Sequence, residues 1–317
     1  MQLVCGSVHG LFDLLGGQDL VGFTGSAGTA EKPRGNPAVT AWSLRFTAEA
    51  DSLNCSVLGP DAVPGTPEFD LYIDAVITEM TSKAGQKCTA VRRAFVPRPQ
   101  IDQVTQALED RLSRIIVGAP GTEGVGMGAL VGLTQRDDVR RQVGRLREQT
   151  RLVFGGPERV DVAGADPAAG AYLSPLLLRA DDPRATAPPQ IEAFGPVSTL
   201  LPYESAADLL DLVSLGEGSL VGSVVTHDPQ FARRVVLGAA PQHGRLLVLC
   251  PTDTQAAAPF TPGGRSWAAR PSRTSASPSD WSTCRTPPGK HYSKLSNANT
   301  DNHATGPTPT PCRLPSR

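Results

Sequence analysis

The sequence carries no excess of either charge: 30 Lys and Arg stand against 31 Asp and Glu, a formal net charge of −1. A chain so balanced offers no broad basic field to nucleic acid or to an anionic membrane surface. It also lacks any run approaching the ~20 apolar residues that a bilayer-crossing helix needs. Residues 1–15 show no basic region ahead of an apolar core and no small-residue cleavage site, so no secretory signal is read there. The six cysteines are scattered, which points to reduced thiols in a cytoplasmic protein rather than to a disulfide frame. Two catalytic signatures are missing as well. Gly6-Ser7-Val8-His9-Gly10 lacks the G-x-S-x-G spacing of a serine hydrolase. Gly124, Gly126 and Gly128 lie in a loop between helical segments with no leading strand, so they do not form a G-x-G-x-x-G dinucleotide turn.

A second scarcity is local. Across residues 251–317 the large aliphatics and Phe are reduced to Phe260, Leu295 and Leu314, in a text rich in Pro, Ser and Thr. Such a segment buries too little apolar surface to offset the roughly 1–2 kcal/mol per residue that backbone ordering costs. A disordered tail is expected there, with a composition that out-of-frame translation of G+C-rich DNA would also produce. Cys284, His291, His303 and Cys312 are spaced too irregularly for a zinc site, and no metal is expected.

What remains, residues 1–250, alternates strand and helix. Residues 1–5 form a short apolar run, and Val8, Leu11, Phe12 and Leu15 have helical spacing. Residues 19–24 read as a strand, Gly25-Ser26 opens a helix, and residues 42–47 read as the next strand. Residues 67–84 carry the clearest helix, with Phe69, Ile73, Val76, Ile77 and Met80 on one face and Gly85 as the stop. A strand is expected at 90–96, helices at 101–116 and 135–150, and alternating short elements from 199 to 249. This order is that of an α/β fold with parallel strands and crossover helices.

Three local patterns can do chemistry. Phe23-Thr24-Gly25-Ser26 takes a strand into a helix through a glycine and a capping residue. Free amides and the helix dipole at such a junction attract phosphate, although Gly-Ser there also serves simply as a cap. Glu49 is expected just past a strand end, where a carboxylate can act as a general base, with Asp51 as a competitor and a solvated loop acid as the plainer alternative. In Ala84-Gly85-Gln86-Lys87-Cys88-Thr89-Ala90 a thiol follows a helix-breaking glycine beside a lysine, whose charge would favour the thiolate. Buried, inert thiols are as common, and that is the expectation for Cys5, Cys55 and Cys250.

In order, these are a phosphate-cradling turn, a carboxylate and a thiol, and at this point the sequence resembles the aldehyde dehydrogenase superfamily. Thr24-Gly25-Ser26 resembles its cofactor-binding turn, Gly85-Gln86-Lys87-Cys88 its nucleophile motif, and Glu192-Ala193-Phe194-Gly195-Pro196-Val197 its E-x-F-G-P-V segment. Glu49-Ala50-Asp51-Ser52-Leu53-Asn54, with Val57-Leu58-Gly59-Pro60-Asp61 and Gly65-Thr66-Pro67-Glu68-Phe69-Asp70, resembles the aldehyde dehydrogenase half of the bifunctional proteins of bacterial phenylacetate degradation. The resemblance implies a partial Rossmann-type coenzyme domain at 1–48, an α/β catalytic domain at 49–250 and the tail at 251–317. It implies Cys88 as nucleophile and Glu49 as base, with Thr24, Gly25, Ser26, Glu192 and Phe194 holding NADP or NAD. The substrate it implies is a small aldehyde, a ring-opened acyl-CoA semialdehyde, oxidised to the acid.

The pattern is departed from in four places. The family's oxyanion-stabilising Asn and adenosine-binding Lys would lie ahead of Met1, and its glycine-rich, oligomer-forming segment would follow residue 249. Pro33 falls inside a helix, and Ala129 stands where the family has proline. The chain is therefore expected to be truncated at both ends, with much of the homo-oligomer surface missing. The alternative to an active dehydrogenase is a catalytically inactive fragment.

Overall fold

The computed structural model describes residues 3, 5, 6 and 10–251. Of the apolar run at 1–5 only residues 3 and 5 are described, and neither is in a strand; the tail beyond residue 251, with its cysteines and histidines, lies outside the described residues. Of the expected helix at 7–15, the described part holds one 3₁₀ turn, Leu11–Leu14.

The elements in chain order are β1 (Leu20–Gly25), α1 (Ala27–Arg34), α2 (Pro37–Ala41), β2 (Arg45–Ala50), β3 (Cys55–Leu58), α3 (Pro67–Thr81) and β4 (Arg93–Pro97). There follow α4 (Ile101–Leu112), β5 (Ile116–Gly118), β6 (Val125–Met127), α5 (Leu133–Leu146), β7 (Arg151–Phe154), β8 (Val162–Ala163) and β9 (Leu176–Arg179). The last are β10 (Val197–Tyr203), α6 (Ala206–Ser214), β11 (Ser219–Val225), α7 (Pro229–Ala239) and β12 (His243–Leu249).

A seven-stranded sheet in the order β12-β11-β3-β4-β10-β9-β7 forms the centre. Every neighbouring pair in it is parallel except β7 with β9. Its inner strands are buried on both faces, which is why they read as continuous apolar runs rather than alternating ones. Side chains still alternate. On β4, Ala94 and Val96 pack with Tyr72, Met80, Val104 and Leu108 from α3 and α4. Phe95 points the other way, into a core with Leu209, Leu212 and Val235 from α6 and α7. A third core gathers Val139, Val143 and Leu146 of α5 with Leu173, Leu176 and Val197.

β1 and β2 form a separate, parallel two-stranded sheet. It is thinly packed: within β1–α1–β2 only Ala30 and Leu44 are buried. Pro33 does sit inside α1. β5, β6 and β8 make a small third sheet. Here the structure corrects the reading of the glycine loop: β5 precedes it and Gly126 lies within β6.

α3 begins at Pro67 as expected but ends at Thr81, short of the expected 84, with Ser82 already extended. Thr66 caps it by accepting from the Phe69 N–H, Pro67 takes the first turn, and Glu68 and Asp70 face the helix dipole. Its exit is abrupt: Lys83, Ala84 and Gly85 all adopt positive φ, at 53°, 51° and 68°. No right-handed helix continues through three such residues.

Candidate active site

The turn that leads to Cys88 is built by that exit. Left-handed backbone at two non-glycine residues costs of order 1–3 kcal/mol each, strain that persists only where surrounding contacts impose it. The contacts are specific. At Gly85 a Cβ would stand 2.1 Å from the Gly195 carbonyl oxygen, so only glycine allows this turn to lie against the 192–197 segment. Beyond it Cys88 is exposed, whereas Lys87 is buried.

Lys87 does not play the part expected of it. Its Nζ is held 2.8 Å from Glu79 Oε1 on α3, so its charge is balanced in the core rather than committed to the thiol. Cys5, expected to be buried, is exposed; Cys55 and Cys250 are buried as expected.

Glu49 also sits differently from the expectation. It lies within β2 rather than after it, one residue before the strand ends, with an exposed side chain. The ladder pairs Thr24 with Glu49 and Gly25 with Ala50, so the turn at the end of β1 and the carboxylate are neighbours on one sheet edge. Asp51 then leaves the strand with φ 33°. Ser26 caps α1, its Oγ accepting from the Thr29 N–H at 3.2 Å. The first amides of a helix have no intrahelical acceptor, and at Gly28 a Cβ would meet open space. An exposed, unobstructed helix start with a glycine before it fits a pyrophosphate.

Glu192 and Phe194 reach the same region. Glu192 Oε2 accepts from the Ser52 N–H at 3.0 Å and Oε1 from Arg92 Nε at 3.2 Å. Burial is the main influence on both partners: it holds the Glu192 carboxyl above the ordinary carboxylate range and lowers Arg92, their mutual attraction offsetting only part. The other Arg92 nitrogens donate to the Gly195 carbonyl at 2.7 Å and the Gly85 carbonyl at 2.9 Å. Its guanidinium lies 5.4 Å from the centre of the Phe194 ring. Gln86 bridges too, its Oε1 accepting from the Val131 N–H at 2.8 Å and its Nε2 donating to the Phe194 carbonyl at 3.4 Å. An open cleft of about 450 Å³ lies here, lined by Lys83, Gln86, Ala129, Val131, Gln135 and Phe194.

Three chain segments distant in sequence therefore converge: the turn bearing Cys88, the strand exit after Glu49, and the stretch from Glu192 to Phe194. The groups that hold them together, the Ser52 amide and the side chains of Asn54 and Arg92, were given no role by the sequence reading. A signal existed. Arg92-Arg93 interrupts an apolar run, and a buried guanidinium must find acceptors; Arg93 finds the carbonyls of Leu53, Leu212 and Val213.

The description "aldehyde dehydrogenase family" matches residues 3–277. The chain is 41% identical over 250 residues to the 3,4-dehydroadipyl-CoA semialdehyde dehydrogenase of Aromatoleum evansii, covering 78% of this chain and 48% of that protein. It is 44% identical over 125 residues to the protein MaoC of Klebsiella aerogenes, covering 39% of this chain and 36% of that one. The chain thus spans about half the length, or less, of these relatives. Among solved structures it is similar to betaine aldehyde dehydrogenase of Staphylococcus aureus in complex with NAD+, at TM-score 0.65 and 25% identity over 73% of this chain and 43% of that one. An aldehyde dehydrogenase of Bacillus cereus shares the fold at TM-score 0.63 and 22% identity, over 73% and 44% of the two chains.

Proposed function

Because this chain belongs to the aldehyde dehydrogenase family, a family of NAD(P)-using oxidoreductases, we propose that its site oxidises an aldehyde through Cys88. The proposed substrate class is a semialdehyde carried on a CoA thioester, supported by the relative that acts on one. The observation that carries this reading is the convergence just described: an exposed thiol on a strained, glycine-dependent turn, fastened to the segments bearing Glu49 and Glu192.

In this reading the Cys88 thiolate attacks the aldehyde carbon and forms a thiohemiacetal. The nicotinamide, when bound, supplies the hydride acceptor. A thioester on Cys88 remains, and Glu49 takes a proton from the water that hydrolyses it, releasing the acid. Thr24, Gly25 and Ser26 would hold the pyrophosphate at the start of α1. Glu192 and Phe194 would orient the nicotinamide end. The thinly packed β1–β2 unit up to residue 48 is the proposed coenzyme part, with the catalytic part from Glu49 onward. Exposed thiols at Cys5 and Cys88 suit a reducing, cytoplasmic setting. Among the described residues no helix is long and apolar enough to cross a membrane.

The test is turnover of the purified chain with an aldehyde and either NAD or NADP, followed by the absorbance of the reduced nicotinamide. Cys88→Ala is expected to abolish the signal. Glu49→Gln is expected to leave an acyl adduct on Cys88, visible by mass spectrometry, while steady turnover falls by about 10²–10⁴. Absence of any signal in the unsubstituted chain at high concentration overturns the reading for this polypeptide.

A further inference from the structure

We propose that Asn54 is a positioning residue for the nucleophile, fixing the backbone of Cys88 relative to the strand exit that follows Glu49. The proposal rests on Cys88 being the nucleophile and adds what holds it in place.

The Asn54 side chain is buried, at 1% exposure, and its amide is fully spoken for. Nδ2 donates to the Cys88 carbonyl at 2.8 Å and to the Ala90 carbonyl at 3.0 Å. Oδ1 accepts from Ser52 Oγ at 2.6 Å and from the Val221 N–H at 3.0 Å. Ser52 Oγ in turn accepts from the Leu220 N–H at 3.0 Å. A primary amide offers two donors and two acceptor lone pairs, and here all four are used.

The partners are what make this more than a satisfied core asparagine. Both donors go to the thiol-bearing turn, on either side of Thr89. Both acceptors are engaged by other segments, Ser52 just after Glu49 and Val221 on β11. Replacing the amide by a hydrocarbon would leave the sheet's own ladder between β3, β4 and β11 intact, because those bonds are main-chain. What it would lose is the acceptor for Ser52 Oγ and the Val221 N–H, the bond to the Ala90 carbonyl, and the bond to the Cys88 carbonyl, which stops the peptide after Cys88 from rotating. Rotation of that peptide swings the Cα–Cβ bond of Cys88, and a displacement of about 1 Å is enough to spoil an attack geometry. Asn54 also lies five positions after Glu49 in one short segment, so the same side chain references the thiol to the base.

The test reads the thiol directly and needs no turnover, so its failure is distinct from failure of the dehydrogenase reading. The full chain is alkylated with iodoacetamide at one fixed pH, and modification at Cys88, Cys5, Cys55 and Cys250 is followed by peptide mass spectrometry. Cys5 is an exposed internal standard; Cys55 and Cys250 are buried and report the fold. In the native chain the Cys88 rate is expected to differ from that of Cys5. In Asn54→Ala the Cys88:Cys5 rate ratio is expected to move toward one by about threefold or more, with Cys55 and Cys250 still protected. Ser52→Ala, which removes one of the two groups orienting the amide, is expected to move the ratio the same way by less. An unchanged ratio in either variant that keeps Cys55 and Cys250 protected overturns the proposal. So does loss of that protection in both variants, since Asn54 would then support the sheet and not the thiol.

Discussion

Gly85 concentrates the site's tolerance into one hydrogen atom. Its φ of 68° disfavours any side chain, and its missing Cβ makes room for the Gly195 carbonyl. Gly85→Ala is expected to destabilise the fold by about 2–4 kcal/mol, combining left-handed strain with the clash, measured as the shift in the urea midpoint. A loss under about 0.5 kcal/mol would show that the turn has another conformation at little cost. Glu192 makes a second prediction at this scale. Its carboxyl is held above the ordinary range chiefly by burial, so the folded chain takes up the proton more readily than the unfolded one. Its favourable contribution is complete below the ordinary value of about 4.3 and is lost as pH rises through the raised value. Glu192→Gln does not titrate. The stability of the native chain minus that of the Gln variant should therefore fall as pH rises above about 4, and a difference that rises instead would put the Arg92 attraction ahead of burial.

Among the elements, β1 and β2 stand apart. They carry half-exposed side chains throughout and almost no buried apolar group, while β3, β4 and β10 are buried from end to end. Amides of β1–β2 should exchange with deuterium well before those of the central strands, by about tenfold or more in protection factor. Comparable protection would mean that this ladder is fastened by more than its own bonds. The elements also show what the sequence discloses. The start and buried face of α3 were legible, because the spacing of Phe69, Ile73 and Met80 is a local signal; its end at Thr81 was not, because the left-handed backbone at Lys83 and Ala84 is imposed by the fold. β3 and β9 were not, since four-residue buried strands carry no alternation to read. That the 85–88 and 192–197 segments resemble family motifs was legible as text. The bonds from Arg92, Ser52 and Asn54 were not, because each joins residues that only the fold makes neighbours.

For the whole molecule, the contact between Cys55 and His243 is informative. Sγ and Nε2 stand 3.3 Å apart although β11 lies between their strands. Gly222 makes the crossing possible: a Cβ there would come within 2.9 Å of the His243 ring. Burial pushes the Cys55 thiol up to about 11. A raised value in the folded chain means a contribution present below the ordinary thiol value and lost as pH climbs through about 11. The melting temperature should thus drop over that alkaline range, and Cys55→Ala should flatten part of the drop. An identical alkaline profile in the variant would assign the loss to other groups.

Only four residues, 51–54, separate the end of β2 from the start of β3, and within them the Asn54 side chain is tied to Cys88, the Ser52 amide to Glu192, and both side chains to β11. Such a span behaves as a ruler of fixed length between two sheets. Adding a single residue to it would put either the carboxylate or the thiol out of step with its fastenings. The exposed connection at 119–124, by contrast, can change length without disturbing any of them. Insertions and deletions should therefore accumulate in the second place and be absent from the first.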